Sequence, residues 1–357
     1  MTLIIDGSMG EGGGQILRTA IALSAVLQKP VKVINIRAKR KNPGLQRQHL
    51  TAVRIVAQLT KAKVDGNYLG STALYFEPRG FYPGRYRFDV GTAGSVTLVL
   101  QCVLPVLAFM PEPVELEIIG GTDVPWSPTI DYMKFVVLPF LNKLGFKVEV
   151  RLIRRGHYPR GGGIVRVRTS EPPRELKPLR LVERGKVIKI QGHSHAVRLP
   201  KHVAERQARA AKARLKEHGI DTPIEISIEY YEPGKDPHLG PGSGIALWAI
   251  TEYSILGSDA LGARGKPAEV VGEEAANKLI TELDAGMCLD KHMGDIIIPY
   301  LVLANGRSEI TVTAMTMHAY TMIELAKIMT KAKLNVINGG LEKPFKLTVE
   351  GIGLKTK

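Results

Sequence analysis

GEGGGQILRTAIALSAVLQ, residues 10 to 28, runs a glycine-rich turn straight into an apolar stretch of helical length. The spacing predicts a buried helix from about Gly13 to Gln28. Downstream, VKVINIRA (31–38) reads as a strand, LQRQHLTAVRIVAQLTKA (45–62) as an amphipathic helix and KVDG (63–66) as a short strand. The same helix, strand, helix, strand order returns in AGSVTLVLQCVLPVLAF (93–109), VELEIIGG (114–121), PTIDYMKFVVLPFLNKLG (128–145) and FKVEVRLI (146–153). It returns again in GDIIIPYLVLAN (294–305), SEITVTA (308–314), HAYTMIELAKIMTKA (318–332) and KLNVING (333–339). In each second helix apolar residues recur at helical spacing, as with Ile323, Ala326, Ile328 and Met329, which gives one face to bury. Three such βαβ-type units of sheet plus paired helices around a common centre predict an α/β or α+β fold with mixed sheets.

The pattern breaks between the second and third copies. Residues 183–285 read as the strand KVIKIQGHSHAV, a basic helix from Pro200 to His218, the strand IEISIEYY, the apolar run GIALWAITEYSIL and the helix EEAANKLITEL. This β-α-β-β-α order predicts a smaller inserted domain over 183–285, with 1–182 and 286–357 forming the large one. SEPPRELKP and the glycine of DAGMCLDKHMGD mark its borders.

The 357-residue chain is 44% hydrophobic and 23% charged, an ordinary globular balance. Cys102 and Cys288 both lie in apolar sequence, which argues against a disulfide framework and for a reducing, cytoplasmic setting. No apolar run reaches the roughly 18 residues of a membrane span. The formal charge of +15 is concentrated in 37–49, 151–163 and 200–216, which favours contact with a polyanion such as RNA.

GEGGGQILR has the backbone donors of a phosphate-binding turn, but carries Glu11 in place of a P-loop lysine. A carboxylate beside phosphates needs a cation between them, so Glu11 is the candidate ligand for Mg²⁺ or Mn²⁺, with Arg18 supplying positive charge one turn into the helix. GGTDVPWSP (120–128) and HYPRGGG (157–163) are further glycine-rich loops. His318 stands where a strand meets the third copy's second helix; an imidazole at a helix start has its cationic form disfavoured and a lone pair free to attack phosphorus. KVDG resembles a lysine nucleotidyltransferase motif by chance alone, so Lys63 is discounted. His193, His195 and His202 have no acidic or thiol partner nearby in sequence, and a surface or RNA-facing role is expected for them in preference to metal binding.

Taken together, EGGGQILR, RAKRKNPGLQRQHLTAV, GTAGSVTLVLQ, IIGGTDVPWSP, GHYPRGGG, KHVAER and MTMHAY resemble the RNA 3′-terminal phosphate cyclase family over essentially the whole chain. The resemblance implies an ATP-dependent enzyme that turns an RNA 3′-phosphate into a 2′,3′-cyclic phosphate through a covalent histidyl-AMP and an RNA adenylate. Carried over by motif, His318 is the nucleophile and Glu11 the metal ligand. Gln101, Pro128, Tyr132 and the segment His292, Met293, Gly294, Asp295, Ile296 face ATP, while Arg18, Arg37, Arg40 and Gln48 bind RNA or nucleotide phosphates. His292 stands where some relatives have tyrosine, and Ile296 where some have glutamine. The family's insert is thioredoxin-like, but no Cys-x-x-Cys is present here. Two other readings are a cyclase-like assembly factor that lacks the nucleophile, which His318 opposes, and a metabolic transferase with six copies of the unit, for which this chain is too short. Oligomeric state is left open, a homo-oligomer included.

Overall fold

The computed structural model describes residues 2–356 and contains four small mixed sheets. In the first, Leu3–Asp6 runs parallel to Val31–Ile34, which pairs antiparallel with Leu74–Glu77, which in turn takes Lys63–Asp65. Arg85–Asp89, Glu115–Gly120, Gly163–Thr169 and Val148–Arg154 repeat that order and those directions. So do Arg180–Leu181, Arg307–Val312, Phe345–Glu350 and Lys333–Ile337.

Each unit is therefore β-α-β-α-β-β, two strands richer than the pattern in the sequence. The missed leading strands are short edge strands: Arg85–Asp89 alternates only between exposed and half-buried, and Arg180–Leu181 is two residues long. Such segments bury too little to print a periodicity.

The first helix, Gly14–Leu27, lies at the centre of the assembly. It packs against the helix Val96–Leu107 of the second unit and against Met317–Met329 of the third. Ile16, Ala20, Ile21 and Leu23 have no exposed surface, which explains why this stretch carries no polar face. Truncating Ile21 to alanine there would cost about 2–5 kcal/mol.

A second, smaller apolar cluster runs from Ile190 to Leu283. Its sheet places Val187–Val197 parallel to Ile224–Tyr230 and antiparallel to Gly242–Thr251, with Ile255–Leu261 outermost. The apolar run 244–256 is not one strand, because Thr251 and Ser254 exchange backbone and side-chain hydrogen bonds across Glu252 and Tyr253 and turn it into a hairpin. The order is thus β-α-β-β-β-α. The helices Lys201–Glu217 and Ala268–Asp284 pack together over this sheet, with Gly272 so close that a Cβ there would lie 2.1 Å from the carbonyl oxygen of Gln207.

Contacts tie this segment to the second unit and to the start of the third. The Trp248 ring stacks on Phe135 at 4.3 Å, the Thr129 N–H donates to Asp259 at 2.8 Å, and the Gly257 N–H donates to Asp290 at 3.0 Å.

Candidate active site

The glycine turn bends sharply because Gly10 and Gly12 adopt φ of 51° and 63°, a region glycine enters without a Cβ penalty. Space requires it too: a Cβ on Gly10 would lie 2.2 Å from Oγ1 of Thr321, the hydroxyl that accepts the Glu11 backbone N–H at 2.9 Å. The turn is in this way sewn to the helix that carries His318. The helix Gly14–Leu27 starts at Gly13 with no side-chain cap and no acid in its first turn. Its leading N–H groups are therefore available to an anion.

His318 sits on the first turn of Met317–Met329, behind the Thr316 cap. Its Nδ1 lies 2.6 Å from Oε1 of Gln15 and 4.0 Å from Oε2 of Glu11. Gln15 in turn donates its amide N–H to Asp295 at 3.2 Å, which points Oε1 at the imidazole. A carbonyl oxygen only accepts, so Nδ1 carries the proton and Nε2 keeps its lone pair. Desolvation, with Arg18, Arg40 and His292 nearby, pushes the half-exposed ring down to about 4, so it is neutral at physiological pH.

Arg40 lies against Oε1 of Glu11 as its ion-pair partner, while the buried Oε2 accepts no hydrogen bond. A buried carboxylate with one oxygen against Arg40 and the other unpartnered, beside an uncapped helix start, fits a divalent metal ligand that also faces phosphate. Arg18 is 8% exposed, its Nε is buried without a partner, and desolvation lowers it to about 10, so it remains a cation facing inward.

The other sequence candidates divide. Gln48 accepts the Ser95 N–H at 2.9 Å and so fixes the start of Val96–Leu107, the helix on which Gln101 is half-buried. Arg37 spends Nη1 on the carbonyls of Asn42 (2.5 Å) and Gly44 (2.9 Å); its first task is bracing the loop that presents Arg40. Pro128 is partly exposed and its carbonyl accepts the Thr97 hydroxyl at 2.7 Å.

Tyr132 requires correction. It is 2% exposed and donates its hydroxyl to Asp290 at 2.6 Å, so its ring offers no wall to a nucleotide. Within His292–Ile296 only His292 presents its side chain to solvent. Met293 and Ile296 are core, Gly294 packs on Val312, and Asp295 faces Gln15. Burial, reinforced by Asp290, pushes Asp295 up to about 7, against the opposing pull of Gln15 and Arg18.

Sequence reasoning missed Gln15 and Asp290. The first lies inside the glycine motif; the second is the Asp-x-x-x acid before a short helix, where it accepts the N–H groups of His292 and Met293 at 3.0 and 2.9 Å. It also missed the burial of His195, 1% exposed, whose Nε2 lies 3.2 Å from that of His157. A surface role is ruled out for it. His193 bonds Ser227 and Glu229, His202 is exposed, and Lys63 lies exposed on an edge strand. On the basic helix, Arg206 pairs with Glu269 and Arg214 with Asn277, while Arg209, Lys212 and Lys216 stay exposed on one face.

Among the described residues no helix is long and apolar enough to cross a membrane. The family model of RNA 3′-terminal phosphate cyclase matches residues 9–336. An RNA 3′-terminal phosphate cyclase of Hyperthermus butylicus is 59% identical over 99% of both chains, and one of Ignicoccus hospitalis is 56% identical over 98% of both. Among solved structures, the enolpyruvyl transferase NikO of Streptomyces tendae overlaps the whole of this chain and 49% of its own, at 8% identity and a TM-score of 0.38, too weak to bear on fold or chemistry. The extent and identity of the cyclase matches show that this chain belongs to the RNA 3′-terminal phosphate cyclase family.

Proposed function

We propose that the chain converts an RNA 3′-phosphate into a 2′,3′-cyclic phosphate at the expense of ATP, with His318 as the nucleophile. The observation that carries this reading is the Gln15 hydrogen bond, which leaves Nε2 of His318 deprotonated beside the uncapped helix and Glu11. Nε2 attacks the α-phosphorus of ATP and pyrophosphate leaves, so the AMP is held by a phosphoramidate bond. An oxygen of the RNA 3′-phosphate then takes the AMP and frees the imidazole. The neighbouring 2′-hydroxyl attacks the activated 3′-phosphorus, losing its proton as AMP departs and the ring closes.

Each step demands in-line positioning and neutralised charge more than acid and base groups. Arg18, whose Nε is unpartnered, and Arg40 would neutralise the phosphates, and the uncapped N–H groups at Gly14 and beyond would receive phosphate oxygens. Glu11 would hold Mg²⁺ or Mn²⁺, which supplies Lewis-acid polarisation of phosphoryl oxygens. Pro128 and His292 would flank adenine, while Gln101 and Gln48 would offer amide contacts. The exposed face of Arg209, Lys212 and Lys216 would hold the body of the RNA. We extend the reading to an insert over 183–285 and a cytoplasmic enzyme.

The test is a 3′-phosphorylated oligoribonucleotide incubated with the protein, ATP and Mg²⁺. The terminal phosphate should become resistant to phosphatase only when ATP is present. A terminus that stays sensitive while the protein still labels itself with AMP would mean another acceptor.

A further inference from the structure

A second chemical cluster lies at the seam between the second unit and the sheet of residues 187–261, with no part in the reaction above. Asp123, His157 and His195 are 1%, 7% and 1% exposed, and one ligand atom from each lies within 4.8 Å of the others. They are the one such group of three among the described residues. They come from three places: the loop after Glu115–Gly120, the loop before Gly163–Thr169, and the strand Val187–Val197.

The geometry points to a buried transition-metal site, and we propose that His157 Nε2, His195 Nε2 and the Asp123 carboxylate bind a divalent ion of the zinc class. Two imidazole nitrogens on a tetrahedral zinc stand about 3.3–3.4 Å apart, given bonds of about 2.0–2.1 Å. The two Nε2 atoms here are 3.2 Å apart. That spacing suits a shared ion as well as a hydrogen bond between the rings, and Nδ1 of His195 is buried without a partner in either state.

The surroundings are built for a cation. Arg155 is enclosed by Asp123, Asp131 and Glu229, and Glu229 also bonds His193, so three carboxylates share one guanidinium and one imidazole at the seam. Asp123 is itself oriented, accepting the Thr122 hydroxyl at 2.6 Å and Arg155 Nη1 at 3.2 Å. Gly242 presses on the His157 ring, where a Cβ would lie 2.0 Å from Cγ, and so fixes its plane. His238 has Nδ1 bonded to Asp236 at 2.7 Å and a buried Nε2 with no partner, but it lies outside the set of three. Two nitrogens and one carboxylate select zinc, cobalt or nickel over magnesium. The ion would clamp the glycine loop 156–163 to the insert strand, apart from any metal held by Glu11.

The experiment is metal retention by the full chain. After incubation with zinc and desalting, about one zinc per chain should stay with the wild type and with Glu11→Ala, and be lost from His157→Gln and His195→Gln. Added zinc should raise the Tm of the wild type and leave both glutamine variants unmoved. Retention that is absent in the wild type, or undiminished in both variants, overturns the proposal. Should the variants fail to fold, cobalt(II) loaded into the wild type decides. Intense visible bands of a four-coordinate, nitrogen-ligated ion support the site; a weak octahedral spectrum or none refutes it.

Discussion

Three copies of one unit begin their first helices in three ways. In the second copy Ser95 caps Val96–Leu107 by accepting the Leu98 N–H at 3.1 Å. In the third, Asp290 caps Lys291–Ile296 with two N–H bonds and also holds Tyr132 and Gly257. In the first, Gly13 brings no side chain at all. The sheets are alike in order and direction, so the fold does not distinguish the copies. What distinguishes them is whether the leading amides are satisfied internally or left for a ligand. Two copies use the helix start as scaffold, and the first leaves it uncapped, where the proposed reaction would seat phosphate.

The most drastic way to break that comparison is to give the first copy the cap of the third. Gly13→Asp places a carboxylate where phosphate should sit, and its Cβ would stand 2.2 Å from Oε2 of Glu11. Self-adenylation should fall about a hundredfold, the scale on which anion-stabilising donors act, with the fold intact by circular dichroism. Next in size is the loss of the scaffold caps. Asp290→Ala should cost about 3 kcal/mol in denaturant unfolding, because four donors lose their acceptor in a buried setting; Ser95→Ala should cost about 1 kcal/mol. Equal costs for the two would mean that Asp290 does no more than cap.

The buried carboxyls sharpen the comparison through pH. Asp295 is pushed up to about 7 by burial and Asp290, and Glu282 likewise to about 7 by burial and Asp290. Both bind protons more readily folded than unfolded, so their contribution is full below about pH 4 and is lost as pH rises through 7. Asp295→Asn should flatten the decline in chemical stability over that window, by a few kcal/mol at most. His318 moves the other way. Held down to about 4, it should keep self-adenylation level to about pH 5, where an ordinary histidine of pKa near 6.5 would already have lost its lone pair to a proton. The smallest effect is on the surface: Arg209→Glu with Lys212→Glu and Lys216→Glu should weaken RNA binding and shallow its dependence on log salt by about 0.7 per lost phosphate contact, with self-adenylation unchanged.

The repeat was legible in the sequence because helices such as Arg47–Thr60 and Met317–Met329 bury one face at a period near 3.6. The leading strands were not, being edges with little to bury. The proximity of the candidate residues was legible where the pattern is written locally, as in the glycines around Glu11 and the histidine behind Thr316. What supports them was not, because it is assembled from afar. Gln15 meets Asp295 across 280 residues, Tyr132 meets Asp290 across 158, and His157 meets His195 across 38. Tyr132 shows the cost of carrying a motif over by position alone: an aromatic at the right place in the chain had been claimed by the core.

The central claim is that the imidazole of His318 becomes bonded to the α-phosphorus of ATP. Its most direct test is incubation with α-labelled ATP and Mg²⁺ followed by a denaturing gel. Label should remain on the protein through a bond that survives alkali and breaks in acid, should persist in Lys63→Ala, and should vanish in His318→Ala. Label retained in His318→Ala would contradict the account.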